Sequence, residues 1–222
     1  MNEHVRVTRP DLDLAEIQSA FDEIPLDRHF NGAYRHRTQS RFHFADGTIT
    51  RLPKVDLFQS SEINKLENYG GIRREYDELP SGIEEWPSFR ELVRHWAGQF
   101  GLDEFDFSAH QIRTRGSGEP VPEGRHRDGY QYVGVFVADR HKIAEDSALT
   151  NVWDINTDQK IITDVVIGAG ELVSFDDRRV IHDASPLIPL DGDASHRDVL
   201  ILTYPDHKEV LEHGEVRALK ES

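Results

Sequence analysis

The sequence predicts an α+β domain in which helices come first and a β-rich core follows. Apolar residues recur at helical spacing within the first hundred residues, and after Gly101 the chain becomes a series of short strands separated by turn-forming residues. Many short strands at regular spacing are typical of a sandwich or jelly roll, and not of a parallel sheet with crossover helices. Since its 222 residues contain no repeat or linker, the whole chain is expected to form one domain.

The first half holds the predicted helices and one hairpin. Leu14, Ile17 and Phe21 lie on one face of a helix, and Asp-Gly between two alternating segments is a strong hairpin signal. The elements expected here are an amphipathic helix at 10–23, a hairpin turning at Asp46-Gly47, a short helix at 60–68 and a longer helix at 88–100 that Gly101 ends.

The second half holds the predicted strands. They are placed near 107–114, 130–138, 149–155, 160–167, 171–175, 180–188 and 198–204, and a short helix is expected at 207–220. Within the single domain of residues 1–222, this divides the chain into a helical and hairpin part at 1–105, a jelly-roll core at 106–205 and a C-terminal tail at 206–222.

Composition excludes several classes of function. The chain has 26 Lys and Arg against 41 Asp and Glu, and the net charge of −15 argues against binding to nucleic acid or to an anionic membrane. The absence of cysteine excludes disulfides, zinc ribbons, iron–sulfur clusters and thiol nucleophiles. The first residues lack the apolar core of a signal peptide, and no apolar run approaches membrane-spanning length, so a cytoplasmic protein is expected.

The stretch His126-Arg127-Asp128 is the principal candidate for chemistry. In an extended segment, alternate side chains share a face, so His126 and Asp128 would present an imidazole and a carboxylate side by side. His182, after a later predicted strand, would supply the third ligand of a 2-His-1-carboxylate triad that holds Fe(II). The alternative is a chance His-x-Asp pair on a solvated loop, since the chain has 12 histidines.

Arg197 stands at the head of the apolar strand 198–204. An arginine entering such a strand needs an anionic partner, and its planar fork matches a carboxylate. The partner would be a bound acid or, alternatively, Asp198 or an aspartate of the turn at 176–177.

The order of these residues along the chain resembles the motif of the Fe(II)/2-oxoglutarate-dependent dioxygenases. The core of those enzymes is a double-stranded β-helix, a form of jelly roll. The chain is more narrowly similar to the small bacterial hydroxylases of free amino acids, of the isoleucine 4-hydroxylase type. The stretches that carry the resemblance are His110-Gln111-Ile112-Arg113, His126-Arg127-Asp128-Gly129, Asp176-Asp177-Arg178 with His182, and Arg197-Asp198-Val199-Leu200, with a looser likeness at 34–42 and 68–74.

The resemblance implies that His126, Asp128 and His182 bind Fe(II) and that Arg197 pairs with the distal carboxylate of the cosubstrate 2-oxoglutarate. With O2, the cosubstrate would be converted to succinate and CO2 while an unactivated C–H bond of the substrate is hydroxylated. Related halogenases lack the carboxylate ligand, so Asp128 implies hydroxylation and not halogenation.

Substrate contacts are harder to assign from sequence. A free amino acid needs a cation for its carboxylate and an acceptor for its ammonium. Gln111 and Arg113 are favoured because they share one face of a strand that is expected to line the barrel. The further candidates are Arg35, Arg37 and Arg73 as cations, Asp176 and Glu145 as acceptors, and Trp153 as a wall of the pocket.

The sequence is compatible with two other functions. One is a non-catalytic, cupin-like module that binds a small acid, and the other is a hydroxylase of a protein-bound or carrier-bound residue. The expected binding partner is a small-molecule substrate. A homodimer is also compatible with the sequence.

Overall fold

The computed structural model of the chain describes residues 3–219. In chain order its elements are β1 (Val5–Thr8), α1 (Leu14–Ser19), β2 (Arg35–Ala45), β3 (Thr48–Leu52), β4 (Leu57–Phe58), β5 (Arg73–Arg74), a 3₁₀ turn (Ile83–Glu85), α2 (Pro87–Gly98), β6 (Phe105–Arg115), β7 (Tyr132–His141), β8 (Thr150–Asp154), β9 (Lys160–Val165), β10 (Leu172–Asp176), β11 (Val180–Ala184), a second 3₁₀ turn (Gly192–Ala194), β12 (His196–Tyr204) and α3 (His207–His213).

Two antiparallel sheets form the β core. The large sheet has seven strands in the order β1-β10-β7-β12-β6-β2-β3, and the small sheet has three in the order β11-β8-β9. Residues of both sheets meet in one apolar cluster, which includes Val133 and Val173 of the large sheet and Val152 and Val180 of the small one. This arrangement confirms the predicted α+β jelly roll with helices packed on one side.

The large sheet has one face covered by helices and one face that points into the barrel, and side chains along each strand alternate between them. On β12, Leu200 and Leu202 join the cluster that α1 and α2 form with the sheet. Val199 points the other way, into the cluster shared with the small sheet. Since residues two apart share a face, the odd-numbered residues of β12 look into the barrel. The large sheet is therefore buried on both sides.

The register of the central strands sets which inner residues are neighbours. Arg197 on β12 pairs with Thr114 on β6, and Thr114 pairs in turn with Arg35 on β2. These three residues form one row across the inner face. With about 4.8 Å between strands, Arg197 and Arg35 are about 10 Å apart at the backbone.

The hairpin and the longer helix form as predicted. Strands β2 and β3 pair with Ala45 opposite Thr48, so Asp46 and Gly47 make the turn. Both of these residues have positive φ, of 51° and 73°, which Asp and Gly tolerate better than most residues. Helix α2 buries Phe89, Leu92, Val93 and Trp96 against the large sheet.

Three helical expectations need correction. The helix expected at 10–23 is only Leu14–Ser19. Residues 60–68 contain no helix, because the side chain of Asn64 accepts from the backbone of Leu66 and turns the chain. The last helix ends at His213, since Gly214 leaves the helical region with φ of 87°. Residue 220 of that expected helix lies outside the described residues.

The large sheet also recruits strands from outside residues 106–205, because β1, β2 and β3 belong to it. The short edge strand β1 was not predicted. Across residues 3–219, none of the helices has both the length and the apolar character needed to cross a membrane.

Candidate active site

His126, Asp128 and His182 come together at one end of the barrel. The Nε2 atoms of His126 and His182 lie 3.5 and 3.4 Å from the two carboxylate oxygens of Asp128. One ligand atom from each residue falls within 4.8 Å of the others. Backbone pairing brings the histidines together, because each accepts from the other's N–H, at 3.1 and 2.9 Å. The three predicted ligands thus form a compact cluster.

The imidazoles are oriented for a metal ion. The Nδ1 atom of His126 is 2.9 Å from the Gly124 carbonyl, so this nitrogen carries the proton in the neutral ring and Nε2 keeps its lone pair. The Nε2 atom of His182 is buried and has no hydrogen-bond partner among the described residues. Two imidazole nitrogens and one carboxylate around a common point fit Fe(II).

Electrostatics within the triad are those of a cation site. Burial would raise the pKa of Asp128, but the adjacent His126 and His182 imidazoles hold it well below its usual range. Burial would lower the pKa of His126, yet the Asp128 and Glu123 carboxylates raise that pKa to about 9. The carboxylate is therefore ionised at neutral pH, and a bound metal would take the place of the proton on His126.

Asp177 fixes the backbone that carries Asp128, one of the three proposed ligands. Its buried carboxylate accepts from the N–H groups of Asp128, Gly129 and Tyr130 at 3.0, 2.9 and 3.2 Å, and from Arg127 at 3.2 Å. Sequence reasoning favoured its neighbour Asp176 for the site. That choice is corrected, because the Asp176 carboxylate is engaged by the side chain of Arg178, at 2.7 and 2.8 Å, and Asp176 is absent from the cavity lining.

Arg197 faces the same cavity as the triad. It is only 6% exposed, and its Nε has no hydrogen-bond partner among the described residues. The expected alternative of a pair with Asp198 is wrong, since Asp198 binds Arg113 in bidentate fashion at 2.7 Å. Burial and the nearby Arg140 lower the pKa of Arg197 to about 10, so it remains charged at neutral pH. Arg197 is therefore a buried cation with no carboxylate within 4.0 Å among residues 3–219.

A second cationic group lies two strands away on β2. Arg35 and Arg37 both line the cavity and are buried, and each has an Nε without a hydrogen-bond partner in the described chain. Arg35 donates to the Pro120 carbonyl at 3.1 Å and approaches Asp27 at 3.7 Å. Arg37 donates to the Tyr69 hydroxyl at 3.2 Å. Asp27 is the only carboxylate within 4 Å of either guanidinium among residues 3–219.

His110 contributes a neutral donor to this region. Arg37 donates to its Nδ1 at 3.3 Å, so the proton of the ring resides on Nε2. Burial, and then the adjacent Arg37 charge, hold the pKa of His110 well below its ordinary value.

Gln111 and Arg113 do not line the barrel, and this expectation is corrected. They share a face of β6 as predicted, but that face lies on the helix side of the sheet. The Gln111 amide donates to the Ala20 carbonyl at 2.8 Å, while Arg113 pairs with Asp198. Their neighbours His110, Ile112 and Thr114 line the cavity instead.

Three further candidates lie away from the cavity. Arg73 and Glu145 are exposed. Trp153 projects from the small sheet away from the barrel, where its ring stacks with Arg125, whose guanidinium carbon is 4.1 Å from the ring centroid. None of the three is among the cavity-lining residues.

Comparison with known proteins agrees with this geometry. A bsmA homolog from Methylobium petroleophilum PM1 has 26% sequence identity and a TM-score of 0.77, over 92% of this chain and 89% of that one. IDO from Bacillus thuringiensis has 16% identity and a TM-score of 0.64, over 86% and 84%. The Fe(II)/α-ketoglutarate-dependent dioxygenase TqaL has 16% identity and a TM-score of 0.62, over 90% and 82%. At 16% identity, the last two show a shared fold.

No curated protein matches the sequence. The 2OG-Fe dioxygenase family model, by contrast, matches residues 18–203, a span that contains every residue of the triad as well as Arg197. The chain therefore belongs to the 2OG-Fe dioxygenase family, enzymes that use Fe(II), 2-oxoglutarate and O2.

Proposed function

We propose that this enzyme hydroxylates an unactivated C–H bond of a free L-amino acid. The observation that carries the proposal is a single cavity lined by the triad and by two separate groups of buried arginines. Arg197 forms one group, and Arg35 and Arg37 form the other. Two cationic groups about 10 Å apart can hold two different carboxylic acids at the same time.

His126, Asp128 and His182 would hold the iron, and Arg197 would bind the distal carboxylate of 2-oxoglutarate. The guanidinium suits this role because it is buried, charged and without a carboxylate partner among the described residues. When bound, iron would activate O2, so that one oxygen atom enters succinate as 2-oxoglutarate loses CO2 and the other enters the hydroxylated substrate. Since Asp128 occupies the carboxylate position, the proposed outcome is hydroxylation and not halogenation.

Arg35 and Arg37 would bind the carboxylate of the substrate. Both guanidinium groups retain donors that no described residue satisfies. An amide or hydroxyl of a neutral substrate would leave these buried charges unbalanced, whereas a carboxylate accepts from both.

The charges around the cavity favour a substrate with no net charge. The charged side chains that line it are three arginines, Arg35, Arg37 and Arg197, and three carboxylates, Glu123, Asp128 and Asp183. The charges of these six side chains sum to zero. The 2+ charge of Fe(II) and the 2− charge of 2-oxoglutarate also sum to zero. An amino-acid zwitterion leaves this balance unchanged, which supports a neutral amino acid over a dicarboxylic acid.

The test is succinate formation by the Fe(II)-loaded enzyme with each of the common L-amino acids. One or a few amino acids should raise succinate production well above the level without substrate, with a matching hydroxylated product by mass spectrometry. His126→Ala should abolish both signals. Amino acids that leave succinate at its background level would contradict the proposed substrate class.

The non-catalytic binding module is set aside, because the chain belongs to a family of dioxygenases.

A further inference from the structure

Glu123 is a carboxylate in the cavity without a stable partner. It lies on the segment between β6 and β7, lines the cavity, and has a side chain that is only 13% exposed. Within residues 3–219 it makes no ion pair with lysine or arginine. The one basic side chain within 4.0 Å of it there is that of His126, whose Nε2 lies 4.0 Å away.

Iron binding would occupy the one nitrogen that could donate to Glu123. The Nε2 atom of His126 faces the triad, so as an iron ligand it would not form a hydrogen bond with Glu123. Glu123 would then be a largely buried carboxylate that no described residue supplies with a hydrogen-bond donor. Such a group is costly unless a ligand supplies the missing donor.

The surroundings indicate which ligand this is. Arg35, proposed above as a carboxylate-binding residue, donates to the Pro120 carbonyl at 3.1 Å, only three residues before Glu123. Although the Arg35 side chain reaches the segment that carries Glu123, the two charged groups are not within 4.0 Å of each other and do not neutralise one another. Arg35 keeps an Nε donor that no described residue satisfies, although Asp27 lies 3.7 Å away, and Glu123 has no lysine or arginine partner among residues 3–219. Two such groups of opposite charge match the carboxylate and ammonium groups that an α-amino acid carries on one carbon.

We propose that Glu123 accepts the α-ammonium group of the substrate and that the enzyme therefore requires a free amine. This inference rests on the proposed function and narrows it. A residue within a protein lacks both charged groups. A residue bound to a carrier through its carboxyl group lacks the anion for Arg35. Neither would complete both pairs.

The experiment compares Glu123→Gln with Glu119→Gln in the Fe(II)- and 2-oxoglutarate-loaded enzyme. Glu119 is a matched control, since it lies on the same segment but is exposed and absent from the cavity lining. The substrates are the L-amino acid that gives most succinate with the unmodified enzyme, its N-acetyl derivative and its 2-hydroxy analogue. Substrate affinity is also measured by anaerobic calorimetry.

Loss of a charged pair in a buried site is expected to raise the KM and Kd of Glu123→Gln for the amino acid by about 10- to 100-fold. Its preference for the amine over the 2-hydroxy analogue should fall by a similar factor, while the KM for 2-oxoglutarate and the bound iron stay unchanged. Glu119→Gln should match the unmodified enzyme in all five measurements.

Three results would overturn the inference. The first is unchanged KM and unchanged preference for the amine in Glu123→Gln. The second is a loss of iron in that variant, which would make Glu123 a support of the metal site. The third is no turnover of any free amino acid by the unmodified enzyme, which alone would also overturn the proposed function.

Discussion

Asp177 shows how much of the site depends on one buried carboxylate. It accepts three consecutive backbone N–H groups, from Asp128 to Tyr130, and thereby sets the position of a proposed iron ligand. Groups that orient metal ligands typically affect metal affinity by 10- to 100-fold, although they never touch the ion.

We therefore expect Asp177→Asn to weaken Fe(II) binding by about 10- to 100-fold, because an amide cannot accept all of these bonds. The measurement is Fe(II) affinity under anaerobic conditions, by competition with a chromophoric chelator. Asp176→Asn is the matched control, since that carboxylate pairs with Arg178 and does not touch the triad. Equal iron affinity in the two variants would refute the positioning role.

Arg197 allows a similar test of the cosubstrate site. Arg197→Lys keeps the charge but loses the planar fork, and we expect the KM for 2-oxoglutarate to rise by about 10-fold or more. The KM for the amino acid should change little, since Arg35 and Arg37 would bind it. Arg113→Lys, on the other face of the large sheet, serves as the control. An unchanged KM for 2-oxoglutarate in Arg197→Lys would remove this arginine from the site.

At the scale of elements, β6 explains which site residues could be predicted. The order of His126, Asp128, His182 and Arg197 along the sequence was enough to nominate them, and the structure brings all four to one cavity. The face of β6 that points into the barrel was not predictable. Alternation assigns residues two apart to the same face, but since both faces of β6 are buried, it does not show which of them lines the barrel. For that reason Gln111 was nominated where His110 lies.

Asp177 and Glu123 escaped prediction for a different reason. The partners of Asp177 are mainly backbone N–H groups of a distant segment, and no sequence pattern marks such contacts. Glu123 lies in a Gly- and Pro-rich turn, where a charged residue is ordinarily solvated. Its position three residues before His126 was the one available signal.

Helix α3 is attached to the barrel through a buried histidine. The Nδ1 atom of His207 is 2.5 Å from the Ser108 hydroxyl, and its Nε2 is 3.2 Å from the Val55 carbonyl. Burial lowers the pKa of His207 to about 4, although the nearby Asp206 carboxylate opposes the effect.

This depressed pKa makes stability depend on pH. Between about pH 6.5 and 4 the unfolded chain binds a proton at His207 that the folded chain does not, so stability falls as the pH falls through this window. The loss attributable to this one group is of the order of 3 kcal/mol at the low end. This loss is measured by urea unfolding of the unmodified protein and of His207→Gln across this pH range. A variant with the same slope against pH as the parent would contradict the assignment.

At the scale of the whole molecule, the two faces of the large sheet are buried in different ways. One face of the large sheet carries the apolar core under α1 and α2, and the other carries the arginines and the cavity. The cavity thus lies on one face only, beside the apolar cluster that this face shares with the small sheet. The net charge of −15 is spread over the rest of the chain, while buried cations concentrate where acids are proposed to bind.

The most direct test of the central claim is an anaerobic titration of the Fe(II)-loaded protein with 2-oxoglutarate, followed by visible absorption. If His126, Asp128 and His182 hold iron and the cosubstrate chelates it, a charge-transfer band should grow to saturation at one 2-oxoglutarate per iron. His182→Ala should lose the band while remaining folded. A band of equal intensity in that variant, or none in the unmodified protein, would contradict the assignment.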